Sequence, residues 1–275
     1  MKLVDLHVHT PYCGHASGSA EATIQSAIKN RFDLLGFSEH YPYPDNYPEP
    51  IPDCVVPANR WPEYMNEMKR LQTVYGDQLE IRIGAEVDYL PDYEKEIKQS
   101  ISGEKLDYVY GSMHLINNIG IDYKEEYLKN HMDALGGVDG MWEKYWLGLE
   151  RLIRMKVCDI IAHMDLPKKL KSGQPVKDQT DGFRPILEMI KKFGLVLEIN
   201  TGGIDRAYKR EPYPSRQILQ HAAELGIEMT IGSDAHAPDQ VGRYFDKAVQ
   251  LLKLYGWKEI VVFRNRKKQH ISLYE

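Results

Sequence analysis

The segment Asp5-Leu6-His7-Val8-His9-Thr10, followed at a short distance by His15, gathers three imidazoles and a carboxylate in one short stretch. From Lys2 to Val8 apolar and polar residues alternate, the pattern of a half-buried strand, so Asp5, His7 and His9 are expected to project from one face. Two neutral imidazoles that close together suit a borderline divalent ion such as zinc, iron or manganese. A carboxylate just behind them is placed to accept a ring N–H and fix the tautomer. An isolated His-x-His arises by chance often enough that the rest of the chain has to decide.

Outward from that segment, chemistry recurs wherever an apolar stretch ends. Ser19-Ala20-Glu21-Ala22 reads as the start of a helix running to about Asn30. Asp33-Leu34-Leu35-Gly36-Phe37-Ser38 is a short strand that ends in Glu39-His40. Residues 41–62 are rich in proline and tyrosine, which predicts an irregular loop; loops of that length are usually lids or binding loops, with a proline-stiffened spacer as the plain alternative. A helix over 63–75 places Tyr64, Met68, Leu71 and Tyr75 on one core-facing stripe. The strand over 79–87 delivers Glu86, with Asp88 just beyond. A helix over 91–100 leads to a strand over 106–112 with His114 at its exit. Residues 117–142 carry no strand pattern and are expected to form a loop and helical excursion merging into a helix over 143–155. A fifth strand over 157–162 leads to His163 and Asp165. The helix over 184–193 precedes a sixth strand, 195–199, that exits at Asn200-Thr201-Gly202-Gly203. After a helix over 215–225, the seventh strand, 227–232, ends in Ser233-Asp234-Ala235-His236. A helix over 239–255 and one last apolar strand near 260–263 complete the pattern.

Composition narrows the options. At 275 residues the chain has the size of one alternating α/β barrel, and a single domain over 1–275 is expected. A net charge of −5 with scattered Lys and Arg offers no basic face, which argues against a nucleic-acid partner. Cys13, Cys54 and Cys158 are widely spaced and read as reduced thiols; Cys13, near His9 and His15, is a minor candidate ligand. No apolar run approaches a membrane span and no signal-peptide pattern is present, so a cytoplasmic protein without membrane contact is expected. Nothing in the sequence marks an oligomeric seam.

Strands and helices alternate seven times, which implies a parallel sheet covered by helical crossovers. An open sheet satisfies that pattern, but a closed or nearly closed, TIM-barrel-like arrangement accounts better for its regularity. Reacting side chains in such barrels come from the C-terminal ends of the strands. His7, His9, His40, Glu86, His114, His163, Asp234 and His236 all fall at those ends, and His15 lies in the first loop. One histidine or acid after a strand is usually a surface, core or turn residue. Nine on one rim would leave many buried polar groups unpaired unless a metal were present. His131, His221 and His270 lie elsewhere and carry the plain reading. Since a catalytic zinc uses about three protein ligands, the set implies two to three divalent ions, with Glu86 the expected bridge. Clustered ions of this kind are suited to phosphoester hydrolysis.

The chain resembles the polymerase and histidinol phosphatase (PHP) superfamily, and most closely its histidinol-phosphate phosphatases. Asp5-Leu6-His7-Val8-His9-Thr10, His15, Ser38-Glu39-His40, Gly84-Ala85-Glu86-Val87-Asp88, Gly111-Ser112-Met113-His114, Ala162-His163-Met164-Asp165, Glu198-Ile199-Asn200-Thr201, Tyr213-Pro214 and Gly232-Ser233-Asp234-Ala235-His236 carry the resemblance. It implies a distorted seven-stranded (β/α) barrel with a trinuclear metal site at the C-terminal strand ends. On that template His7, His9, Glu86 and Asp234 hold one ion, Glu86, His114 and His163 surround a second, and His15, His40 and His236 complete a third; zinc, manganese and iron all remain open. The implied reaction is hydrolysis of L-histidinol phosphate in histidine biosynthesis, by a metal-activated water held between Glu86 and Asp234. Arg206 and Arg243 are candidate phosphate clamps, against a plain surface salt-bridge role. Asp88 and Asp165 are expected either to meet the substrate's cationic groups or to orient a ligand histidine. The competing readings are a phosphoesterase of the same superfamily acting on a nucleotide, oligonucleotide or phosphotyrosine, and a metal-binding module without turnover.

Overall fold

A computed structural model describes residues 2–274. Strand β1 (Val4–Val8), helix α1 (Ala20–Lys29), β2 (Leu34–His40), α2 (Trp61–Tyr75), β3 (Glu80–Asp88), α3 (Glu94–Ser102) and β4 (Tyr108–Ser112) alternate along the chain. A short hairpin, β5 (Leu115–Ile116) with β6 (Ile119–Gly120), then precedes two consecutive helices, α4 (Glu125–Leu135) and α5 (Gly137–Met155). Alternation resumes with β7 (Ile160–Ile161), α6 (Thr180–Phe193), β8 (Val196–Asn200), the single turn α7 (Gly203–Arg206), α8 (Arg216–Glu224), β9 (Met229–Gly232) and α9 (Phe245–Leu254). A second hairpin, β10 (Glu259–Arg264) with β11 (Lys267–Ser272), follows.

Seven strands form one sheet in the order β1-β2-β3-β4-β7-β8-β9, and every neighbouring pair is parallel. Because each strand is covered on both faces, the strands read as near-continuous buried runs. The sheet curls until its first and last strands meet, as the alternation of elements led us to expect. That seam is thin: Val8 and Ala235 share an isolated bridge, with the His9 amide 2.9 Å from the Ala235 carbonyl. Asp5 staples it, its carboxylate accepting from the backbone amides of Ser233 (3.0 Å), His7 (3.2 Å) and Gly242 (2.9 Å). Asp5 therefore does not hold a histidine ring, contrary to the sequence expectation, because the chain needs it for barrel closure.

Tyr108 crosses the interior, and its hydroxyl donates to the Leu6 carbonyl at 2.8 Å. Glycine lets it pass: a β-carbon on Gly84 would lie 2.4 Å from the Tyr108 ring, and one on Gly36 would lie 2.2 Å from its hydroxyl. We expect Gly84→Ala to destabilise the protein by about 1–3 kcal/mol through overpacking, read as a lower urea midpoint. An unchanged midpoint would show that Tyr108 can move aside.

Three local expectations are corrected. Residues 117–142 do contain a strand, β6: Asn117 and Asn118 both adopt positive φ (50° and 63°), the two-residue turn of a tight hairpin joining β5 to β6. Helix α5 begins at Gly137, not at 143, and Gly136 in the left-handed region separates it from α4. The region after α9 is a hairpin and not a lone strand; Asn265 and Arg266 form its turn, again with positive φ.

This last hairpin packs across the N-terminal end of the barrel. Arg264 pairs with Glu80, Arg266 with Asp159 and Lys268 with Glu228, while the amide of Asn265 donates to Asp107 at 3.0 Å. Those four acids sit at or just before the starts of β3, β7, β9 and β4. Phe263 is buried beneath the turn, and Arg82 donates to its carbonyl at 3.0 Å. The opposite, C-terminal end is left open for a site. No helix among the described residues is long and apolar enough to cross a membrane.

Candidate metal centre

Parallel register brings distant residues together at the open end. The β2–β3 pairing sets His40 directly beside Glu86, and the β3–β4 pairing sets Asp88 beside Ser112, two residues before His114. Five imidazoles surround the Glu86 carboxylate. Its Oε2 lies 3.3 Å from His7 Nε2, 3.5 Å from His9 Nε2 and 3.1 Å from His40 Nδ1. Its Oε1 lies 2.9 Å from His163 Nε2 and 3.6 Å from His114 Nε2. The two oxygens thus face two different sets of nitrogens, as a bridging carboxylate must.

A second group adjoins the first. His9 stacks between His40 and His236, with ring centroids 4.2 and 4.3 Å away. His15 Nε2 lies 3.0 Å from His236 Nε2, and Asp234 Oδ1 lies 3.5 Å from His9 Nε2. All nine side chains expected to ligate metal are therefore gathered at one end of the barrel. Four overlapping triads have ligand atoms within 4.8 Å of one another: His7, His9, Glu86; His40, Glu86, His114; His9, His40, His236; and His7, His163, Asp234.

The donor set fits divalent ions on two observations. Sealed from solvent, His9 Nε2 makes no hydrogen bond, yet it stands 3.5 Å from both Glu86 and Asp234. Ligands of one tetrahedral zinc, with bonds of about 2.0–2.1 Å, are separated by roughly that distance. The second observation is protonation. Burial and the neighbouring His9 push His40 and His236 well below the ordinary imidazole pKa, leaving neutral rings with free lone pairs. Burial would raise Glu86, but His40, His7 and His114 outweigh it and hold the carboxyl well below its usual range; Arg206 and His9 do the same for Asp234.

Ring orientation is set from behind by three further carboxylates. Glu198 Oε1 takes the His7 Nδ1 hydrogen at 2.6 Å, Glu39 Oε1 lies 3.3 Å from His9 Nδ1, and Asp88 Oδ1 takes the His114 Nδ1 hydrogen at 2.8 Å. Each contact engages Nδ1 and leaves Nε2 as the ring nitrogen that faces Glu86. Burial opposes charge on His114, but Asp88 and Glu86 prevail and raise its pKa to about 10. Sequence reasoning missed Glu39 and Glu198 in this role. The signal was there, since each is an acid inside an otherwise apolar strand, but which ring it holds depends on tertiary pairing.

A cavity of about 490 Å³ opens above the cluster. The 41–62 segment forms one wall through Tyr43, Asp53 and Cys54, so this loop borders the site and is no mere spacer. Asp122 and Lys169, unforeseen from sequence, also line it and pair at 2.7 Å. Burial would raise the Asp122 carboxyl, yet Lys169 outweighs it and lowers its pKa to about 2. Of the four expected substrate contacts, Arg206 reaches the cavity, where its guanidinium pairs with Asp234. Asp88 also lines it, while taking hydrogens from His114 and from the Tyr43 hydroxyl (2.8 Å). The other two are placed elsewhere. Arg243 is consumed by the carbonyls of Ser233 and Asp234 (3.1 Å each) and by Asp205 (2.9 Å), bracing the loop that presents Asp234. Asp165 turns away from the cavity to Lys168 (3.0 Å) and the Ser215 amide (2.9 Å). Cys13 is buried and its Sγ donates to the Thr10 carbonyl, 4.0 Å from His15 Nε2.

The chain is similar to known proteins. The chain matches the model of the PHP domain over residues 5–202 and that of a PHP-associated region over 212–246. A probable histidinol-phosphatase of Deinococcus radiodurans is 34% identical over 267 residues, spanning 97% of this chain and 98% of that one. Among solved structures, the HisK protein of Listeria monocytogenes superposes with a TM-score of 0.82 at 26% identity, covering 89% of this chain and 99% of its own. The histidinol phosphate phosphatase of Lactococcus lactis, solved with zinc, L-histidinol and phosphate, shares the fold with a TM-score of 0.78 at 24% identity over 98% and 99% of the two chains. With its seven-stranded barrel and a PHP match across most of its length, the chain belongs to the PHP domain family, as a relative of that family's histidinol-phosphatases.

Proposed function

We propose that this protein is a metal-dependent phosphomonoesterase that hydrolyses L-histidinol phosphate to L-histidinol and phosphate, and that His7, His9, His15, His40, Glu86, His114, His163, Asp234 and His236 hold two to three divalent transition-metal ions, zinc, manganese or iron. The observation that carries this reading is the Glu86 carboxylate enclosed by five imidazoles, two of which, His40 and His114, line a cavity whose walls carry both signs of charge. The relatives named histidinol-phosphatase support the substrate. Bound ions supply the Lewis acidity and the acidified water that attack on phosphorus requires.

The chain's own residues do the rest. Glu198, Glu39 and Asp88 fix three ring orientations before any ligand arrives, so little reorganisation accompanies binding. Arg206 and Lys169 present cations to a phosphoryl group. L-histidinol phosphate is anionic at one end and carries an ammonium and an imidazole at the other; Asp53, Asp122 and the Tyr43 hydroxyl line the cavity where that cationic end would lie. We expect Lys169→Met and Asp122→Asn each to raise KM about tenfold with a smaller change in kcat, the sign of lost binding in both ground and transition states. Steady-state kinetics decides this, and an unchanged KM in both variants would remove the pair from substrate contact.

The substrate is tested by turnover on L-histidinol phosphate against nucleoside monophosphates and a phosphotyrosine peptide. Faster hydrolysis of either alternative overturns the assignment. Full metal occupancy with no hydrolysis of any phosphoester would instead favour a binding module. Elemental analysis of protein purified without chelator is expected to give two to three transition-metal equivalents per chain.

A further inference from the structure

A ligand imidazole is held from behind when its second ring nitrogen finds an acceptor. For His7, His9 and His114 that acceptor is a carboxylate on a barrel strand: Glu198 on β8, Glu39 on β2 and Asp88 on β3. His15 is held differently. Its Nδ1 lies 3.0 Å from the backbone carbonyl of Asp53, in the irregular 41–62 segment. A carbonyl oxygen accepts and cannot donate, so Nδ1 carries the hydrogen and Nε2 keeps its lone pair, 3.0 Å from His236 Nε2. One ring thus joins the histidine cluster to the segment that walls the substrate cavity. The backbone is shaped for this contact on both sides. Asp53 adopts the left-handed conformation (φ 55°), and Gly14, with a φ of 89°, lets the two loops touch, since a β-carbon there would lie 2.7 Å from Asp53 Cβ.

Elsewhere the segment is lightly held. Its roots are tied where the Tyr41 amide donates to the Glu86 carbonyl (2.8 Å) and the Val56 amide to the His40 carbonyl (3.2 Å). Between 42 and 55, Tyr47 alone among the described residues gives its amide to another backbone group. The Tyr93 hydroxyl and the Asn118 side chain hold the carbonyls of Asn46 (3.1 Å) and Pro48 (3.0 Å), and Ile51 rests against Gly120, where a β-carbon would lie 2.1 Å from it. A stretch with so few backbone hydrogen bonds opens at low cost, so a single contact governs how often it is open. We propose, on the reading of His15 as a metal ligand, that the 41–62 segment is a lid whose closure is coupled to the ion His15 holds. An ion on Nε2 draws electron density from the ring and makes Nδ1–H a better donor to Asp53; a seated Asp53 carbonyl in turn fixes the ring for the ion. Linkage makes the two effects equal. The lid shuts over the cavity when the mouth is fully loaded, and a chain short of that ion keeps it loose.

Cys54, beside the contact, is a built-in reporter. It is half-buried, with Sγ donating to the Ile51 carbonyl at 3.0 Å, whereas Cys13 and Cys158 are buried. The test labels the full chain with a maleimide carried on a polyethylene glycol chain, in metal-loaded and in chelator-stripped protein, after elemental analysis has fixed the metal content of each. We expect stripping to speed labelling of Cys54 about tenfold, the scale of one charge-assisted hydrogen bond, and to leave Cys158, just before β7 at the base of the barrel, unchanged. Bound cations by themselves favour the thiolate and would speed labelling of the loaded protein, so the expected change runs against theirs. The His15→Ala variant, altered at an exposed loop position, should label fast whether or not its remaining ligands are loaded. Equal Cys54 rates in loaded and stripped parent protein overturn the coupling. A His15→Ala variant that regains slow labelling on loading overturns the route through His15, and faster labelling of Cys158 alongside Cys54 marks general loosening and overturns the lid. A chain that takes up no ion refutes the metal reading, and the lid coupling with it, before any thiol is labelled.

Discussion

Asp234→Asn and His9→Ala are each expected to cut phosphatase turnover roughly a thousandfold, about 4 kcal/mol of transition-state stabilisation, while the barrel stays folded. Asp234 sits where the two groups of imidazoles meet, within 3.5 Å of His9 Nε2 and paired with Arg206. Asparagine keeps the shape and also tolerates the backbone, since Asp234 has a φ of 52° and Asn shares with Asp the capacity for that left-handed conformation. What is lost is the negative charge that holds a cation beside neutral rings. His9 stacks between His40 and His236, and alanine there removes a buried nitrogen that makes no hydrogen bond and stands 3.5 Å from both Glu86 and Asp234. Circular dichroism should be unaltered, and elemental analysis should show fewer equivalents per chain. Unchanged activity with unchanged metal content in either variant would contradict the ligand assignment.

The second large effect concerns a residue that touches neither substrate nor ion. Glu198 is fully buried and takes hydrogens from His7 Nδ1 (2.6 Å), the His163 amide (3.0 Å) and the Asn200 side chain (3.1 Å). Glu198→Ala leaves those donors in a dry interior without an acceptor, and we expect it to destabilise the metal-free protein by about 3–5 kcal/mol. Glu198→Gln keeps one acceptor oxygen and the volume; here the fold should survive while metal affinity falls roughly 10–100-fold because the His7 ring is no longer fixed. Urea unfolding of the metal-free chain reads the first effect and competitive metal titration the second. A Gln variant that binds metal as tightly as the parent would show that packing alone orients His7.

Which parts of this were legible in the sequence follows from how far each signal travels. A strand's end is a local property, and in a parallel barrel all strand ends share one rim, so eight of the nine clustered side chains could be anticipated from strand exits, with His15 in the first loop beside them. The partners behind them could not. Asp5, two residues before His7, looked like its orienting acid, but Glu198 lies 191 positions away and holds that ring, while Asp5 closes the seam. Arg243 and Asp165 failed for a related reason: each follows a ligand closely in sequence, yet the loop carrying it turns its side chain toward backbone and toward Lys168. The Asp122–Lys169 pair joins two irregular segments, for which periodicity carries no information. The missed hairpins were within reach, since Asn117-Asn118 and Asn265-Arg266 are compatible with positive φ, but strands as short as β5 and β6 leave too few residues for alternation to register.

The hairpin of β10 and β11 follows every barrel strand along the chain, so a ribosome delivers all seven of them before the piece that caps their other end exists. Arg82 must wait for Phe263, 181 residues later. Until then the nascent barrel presents a ring of uncompensated acids at its base, and contacts of such long sequence separation form slowly. Closure of the base is thus expected to be a late step in the maturation of this molecule, with the strands of the histidine-rich mouth delivered in advance of the hairpin that steadies them.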